Sequence, residues 1–133
     1  MENILREYVG FIRAFENSLK IKYNTSKNPC TIAGSVFERK GTINGIDYWF
    51  HGSGCTAEKD SVIYAYDISA FVENEIEFSL WKFSEFIRTH PKYSLLKYSS
   101  EDIENELAKL IDKGILSWLV IMGRTYKTYR VVM

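Results

Sequence analysis

The run "TINGIDYW", residues 42–49, leaves the chain little freedom. Asn44 and Gly45 both tolerate the positive φ of a type I′ turn, and apolar and polar residues alternate on either side of them, which is the pattern of a two-residue β-hairpin. A turn of that length sets the register. Ile43 opposes Ile46, Thr42 opposes Asp47, Gly41 opposes Tyr48 and Lys40 opposes Trp49; further out, Arg39 meets Phe50 and Glu38 meets His51. One face then holds Phe37, Ile43, Ile46, Tyr48 and Phe50, apolar apart from Arg39. The other holds Glu38, Lys40, Thr42, Asp47, Trp49 and His51, polar with one indole in its middle. Tyr48 and Phe50 are expected to be buried and Asp47 exposed.

The flanking segments extend this into an α+β chain. Residues 2–23 carry Ile4, Tyr8, Phe11, Ile12, Phe15 and Leu19 at spacings of three and four, a helical stripe that ends at the breaker cluster "NTSKNP". "VFERKGTI", "IDYWFH" and "SVIYAYDI" predict a three-stranded antiparallel meander, with "GSGCTAEKD" as a connection. Residues 78–90 predict a second helix stopped by Pro91. Residues 99–114 predict a third, capped by Ser99 or Ser100, with Ile103, Leu107, Leu110 and Ile111 inward and Gly114 closing it. "ILSWLVIM", the turn Gly123-Arg124 and "TYKTYRVVM" predict a C-terminal β-hairpin. The expected order is α-βββ-α-α-ββ in a single domain, residues 1–133.

Composition narrows the function classes. With 46% hydrophobic and 15% aromatic residues the chain has the means to build a core, which argues against disorder. The longest apolar runs fall well short of the roughly 20 residues that cross a bilayer, and "MENILREYVG" does not read as a signal peptide. A soluble, cytoplasmic protein with no membrane partner is expected. Seventeen bases balance seventeen acids, which weakens a nucleic-acid role. The distribution is uneven, however: residues 56–112 carry twelve acids against six bases, and residues 113–133 carry four bases and no acid.

Few side chains invite chemistry. Cys30, Cys55, His51 and His90 are the soft ligands, but no zinc-type pairing is present, so no metal and no cofactor is expected. His51 and Cys55, at the end of a strand and past a Gly-Ser-Gly turn, could form a base and thiolate nucleophile, with Asp60 or Glu38 orienting the imidazole. No cysteine-hydrolase signature supports that, and pairing of Glu38 with His51 while Cys55 packs inward is the simpler reading. Gly52 and Gly54 are explained more cheaply by backbone geometry than by a phosphate nest. Glu73, Glu75 and Glu77 would share one side of an extended segment; a solvated acidic edge is preferred there over a Ca2+ or Mg2+ site.

From residue 78 onward, helix, turn, the capped helix with "LIDKGIL" and a basic hairpin resemble the second half of a winged helix-turn-helix domain. That resemblance implies a DNA-binding regulator. The capped helix, though, carries Glu101, Asp102, Glu104, Glu106 and Asp112 against Lys109 and Lys113, and would repel phosphates, so no duplex nucleic acid is expected as a partner. "GTINGIDYWFHGSGC" followed by "FSLWKFSEFI" resembles small uncharacterised bacterial proteins of the toxin-immunity type. This implies a small, non-catalytic protein that neutralises one cognate toxin. The expected partner is a basic toxin domain, engaged by Trp49 and Lys40 and steered by Glu73, Glu75, Glu77, Glu101, Glu104 and Glu106.

Overall fold

The structure, a computed structural model, describes residues 1–34, 39–69, 75–120, 123 and 127–133. Helix α1 (Glu2–Lys22) is followed by a short helix α2 (Pro29–Gly34) and four strands: β1 (Lys40–Ile43), β2 (Ile46–His51), β3 (Gly54–Lys59) and β4 (Val62–Asp67). Then come β5 (Glu77–Ser79), α3 (Leu80–Thr89), a 3-10 turn (Tyr93–Leu96), α4 (Ser100–Asp112), β6 (Leu116–Leu119) and β7 (Thr128–Val131). The strands form one antiparallel sheet in the order β1-β2-β3-β4-β5-β7-β6.

Local chemistry explains the first four strands. The β1–β2 pairs are Ile43↔Ile46, Thr42↔Asp47, Gly41↔Tyr48 and Lys40↔Trp49, with Asn44 at φ 51° and Gly45 at φ 76°. Tyr48 and Phe50 are buried and Asp47 is exposed. The segment expected as a loose connection, "GSGCTAEKD", is instead a tight turn at Gly52-Ser53 followed by a strand, so the meander has four strands rather than three. Gly52, at φ 56°, supplies the left-handed conformation. Asp60 (φ 52°) and Ser61 (φ 68°) then make the next two-residue turn. Phe37 and Glu38 lie outside the described residues, as does the Gly123-Arg124 turn apart from Gly123 itself.

Helix α3, expected over 78–90, begins at Leu80, because residues 77–79 are spent on β5. Helix α4 carries a reciprocal capping box: Ser99 Oγ accepts from the Asp102 N–H, and Asp102 accepts from the Ser99 N–H. Ile103, Leu107 and Leu110 face the core, while Ile111 is only partly covered.

The core lies between α1, α3 and one face of the sheet, and most of the chain's aromatic residues are there. Tyr8 is fully buried, with ring centroids 5.5, 5.2 and 5.1 Å from Phe78, Phe83 and Phe86, and its hydroxyl donates to the Ala65 carbonyl. Phe11 stacks on Tyr64 with centroids 3.6 Å apart. Strand β4 meets β5 only at Asp67↔Glu77. Beyond that point α3 runs beside β4 and supplies a hydrogen bond that a strand would otherwise make: the Ile63 N–H donates to Thr89 Oγ1 at 3.0 Å. The sheet is thus two halves, β1–β4 and β5-β7-β6, joined at one residue pair.

Candidate functional site

Register places six residues in one row across the outer face of the sheet, the face turned away from α1: His51, Gly54, Asp67, Glu77, Arg130 and Ser117. At the join between the halves this row is charged and buried. Lys82, 5% exposed, reaches from α3 to place Nζ 2.8 Å from Asp67 Oδ1, and Asp67 is 1% exposed. Nζ also donates to the Tyr66 carbonyl at 3.4 Å. Gly54 makes room for it, since a Cβ there would stand 2.7 Å from Lys82 Nζ and 3.1 Å from His51 Cε1. Space, rather than backbone freedom, therefore demands this glycine. On the other side of the join, Arg130 donates to Glu77 Oε1 at 2.8 Å and approaches Glu75 Oε2 at 2.8 Å.

These contacts revise the acidic edge. Glu77 is 5% exposed and held by Arg130, and Glu75 shares the same guanidinium. Glu77 is not a solvated steering charge, because β5 draws it into the sheet, while Glu75, just before that strand, stays partly exposed. Glu73 lies outside the described residues. Among the described residues no three His, Cys, Asp or Glu side chains converge as a metal site would require.

His51 and Cys55 do not meet. Cys55 pairs in register with Phe50 and faces the core, whereas His51 pairs with Gly54 and faces outward. Cys55 has no exposed surface, and burial pushes its thiol far above the usual range, so a thiolate is disfavoured there. Strand parity puts the two side chains on opposite faces of the sheet. His51 Nε2 instead lies 2.7 Å from Thr56 Oγ1, with its ring 4.8 Å from that of Trp49. Partial burial, and next the Lys82 ammonium, lower its pKa, so the imidazole is neutral at physiological pH. Asp60 sits in a turn at the far end of β3. Cys30 and Cys55 are free thiols.

Trp49 lies where the hairpin register puts it, opposite Lys40 and beside Thr56, and it is 56% exposed. It borders a broad depression of about 1010 Å³ over the outer face of β1–β3, with Arg39, Lys40, Asp47 and Glu58 around it. Asp47 accepts from Thr42 Oγ1 at 2.6 Å. The α4 acids are elsewhere. β2 and β6 stand five strand spacings apart, about 24 Å, and α4 packs beside α3 and β6. Glu104 pairs with Lys127 and Glu106 with Lys109, at 3.0 Å; Glu101 is exposed. Trp49 and the α4 acids are therefore two surfaces rather than one.

Strand β7 sits between β5 and β6, and Lys127 and Arg130 are paired with the chain's own acids; residues 121, 122 and 124–126 of the hairpin lie outside the described residues. Among the described residues, no helix is long and apolar enough to cross a membrane.

The sequence reading did not single out Lys82 and Asp67 as partners. Only "Lys" within an otherwise apolar helical stripe, "LWKFSEFI", hinted at a buried cation. Comparison with known proteins finds no match among curated proteins or solved structures. One family matches almost the whole chain, over residues 1–131: the protein belongs to DUF6896, a domain of unknown function.

Proposed function

We propose that this protein is a non-catalytic protein-binding module that docks its partner on the outer face of β1–β3, with Trp49 as the anchor. One observation carries the reading: an indole more than half exposed in the middle of a polar strand face, beside an open depression. Exposed indole is costly in water, and aromatic anchors ringed by polar residues are what protein interfaces use. Lys40, Arg39, Asp47 and Glu58 supply the polar rim. Following the resemblance to toxin-immunity proteins, the partner is a basic toxin domain met in the cytoplasm. Asp47 and Glu58 would make the acidic contacts, with Glu101, Glu104 and Glu106 acting only on the encounter, since they lie several Debye lengths away at physiological salt. Duplex nucleic acid has no part in this reading.

The test is capture of the partner from native extracts, followed by calorimetry on the isolated pair. Trp49→Ala is expected to cost at least about 2 kcal/mol of binding while leaving the thermal midpoint nearly unchanged. Loss of the fold on that substitution, or undiminished affinity, would remove Trp49 as the anchor and with it the proposed face.

A further inference from the structure

We propose that the protein self-associates through the outer edge of β6, pairing antiparallel with the same strand of a second copy about a twofold axis at Trp118. Strand β6 ends the sheet, with β7 on its one paired side. The Val132 N–H donates to the Ile115 carbonyl at 2.9 Å, which sets the alternation of the ladder. Backbone groups of residues 115, 117 and 119 therefore turn toward β7, and those of Leu116, Trp118 and Val120 turn outward. Among the described residues, nothing takes up those outward groups.

The two edges of the sheet are treated differently. At β1, Arg39 and Lys40 are both exposed, the charged protection that natural edge strands use against pairing. Residues 114–123, "GILSWLVIMG", contain no charge and no proline. An uncharged edge carries nothing to repel its own copy. Pairing Trp118 with Trp118 of the second copy sets Leu116 against Val120 and Ser117 against Leu119, so no like charges are opposed, and every outward backbone group from 116 to 120 gains a partner. The same register covers two apolar side chains that share one face, Val120 at 95% exposure and Trp118, which stacks on Tyr129 yet remains 47% exposed. Among the described residues, the cation beside the Trp118 ring is Lys127, 4.8 Å away, and it is paired with Glu104.

Sedimentation equilibrium from low to high micromolar concentration tests this. The wild-type chain is expected to be a dimer. Val120→Lys, at a site too exposed to affect the fold, is expected to weaken the dimer about tenfold or more, because it buries an unpaired ammonium. In a Cys30→Ser background, Trp118→Cys is expected to form a disulfide-linked dimer on mild oxidation, since directly paired antiparallel residues lie about 5.5 Å apart, within disulfide reach. Ser117→Cys in that background is not. A wild-type monomer at the highest concentration, a dimer indifferent to Val120→Lys, or cross-linking at 117 in preference to 118 would overturn the proposal.

Discussion

The two halves of the sheet are held in register by different means. Strands β1 to β4 are consecutive hairpins, each closed by two residues with a backbone suited to the turn: Asn44-Gly45, Gly52-Ser53 and Asp60-Ser61. Strand β5, in contrast, finds β7 only after α3, α4 and β6 have formed a path back to it. No tight turn sets that pairing. What marks its position is a set of buried charges: Lys82 on Asp67, and Arg130 on Glu77, at the one residue pair where the halves meet. Hairpin geometry specifies register cheaply and locally; long-range strand pairing has no such guide, and a buried ion pair that tolerates only one alignment can take its place.

The largest effect is expected at that join. Lys82→Met leaves Asp67 buried without its ammonium and should cost about 3–5 kcal/mol, a large share of the 5–15 kcal/mol typical of a domain, read from urea unfolding. The double variant Lys82→Met/Asp67→Leu should recover much of the loss, because an apolar pair carries no desolvation penalty. A loss below about 1 kcal/mol in the single variant would mean that the pair does not secure the alignment. Gly54→Ala probes the same point from the sheet side. Its methyl would stand 2.7 Å from Lys82 Nζ and 3.3 Å from the Tyr66 carbonyl, and a smaller cost of about 1–3 kcal/mol is expected.

The same contrast explains what could be read from the residues alone. The β1–β2 register, the buried Tyr48 and Phe50, the exposed Asp47, α1 and a serine cap at 99 or 100 all follow from signals a few residues long; the exposure of Trp49 does not, because the register leaves open whether another part of the chain covers it. Strand β3 is not legible for a local reason: "GCTAEK" has one strongly β-forming residue, Thr56, and its Gly52-Ser53 turn reads as part of a longer connection. Strand β5 is not legible for a global one. "EFS" is three residues and runs straight into a helix, and only its pairing with β7 makes it a strand. The burial of Glu77, which removes it from the candidate site, depends on that pairing too. Parity separates His51 and Cys55 onto opposite faces, but parity can be counted only once β3 is known to exist.

A smaller effect is expected where α1 packs near the join. Glu16, with Asn28, Tyr66 and Glu75, lines a small cavity. Burial raises its carboxyl to about 7, against the lowering pull of Lys20 and then Arg13. Since the folded value lies above the ordinary one of 4.5, the native state holds the proton that the unfolded chain has lost between those limits. The contribution of Glu16 to stability is thus fully present below about 4.5 and declines as pH rises to about 7, by on the order of 2 kcal/mol once its partial exposure is allowed for. Urea midpoints at pH 5 and pH 8 should show Glu16→Gln overtaking the wild type at the higher pH. Parallel pH profiles for the two proteins would place the Glu16 carboxyl in water.

The smallest effect tests the local half directly. Asp60 and Ser61 occupy the left-handed region at φ 52° and 68°, as Asn44 and Gly45 do at 51° and 76°, but the second position carries glycine only in the first turn. A non-glycine residue there costs roughly 1 kcal/mol in steric strain, and Ser61 is exposed. Ser61→Gly should relieve that strain, offset in part by the greater freedom glycine has in the unfolded chain, for a net gain of about 0.5 kcal/mol. Gly45→Ala should do the reverse and lose about 1 kcal/mol. Both are read from urea midpoints at constant slope. If Ser61→Gly stabilises and Gly45→Ala destabilises, the β1–β4 half owes its register to its turns. If neither moves the midpoint, cross-strand packing of Tyr48, Phe50, Ala57 and Tyr64 holds the strands in line, and the turns merely accommodate it.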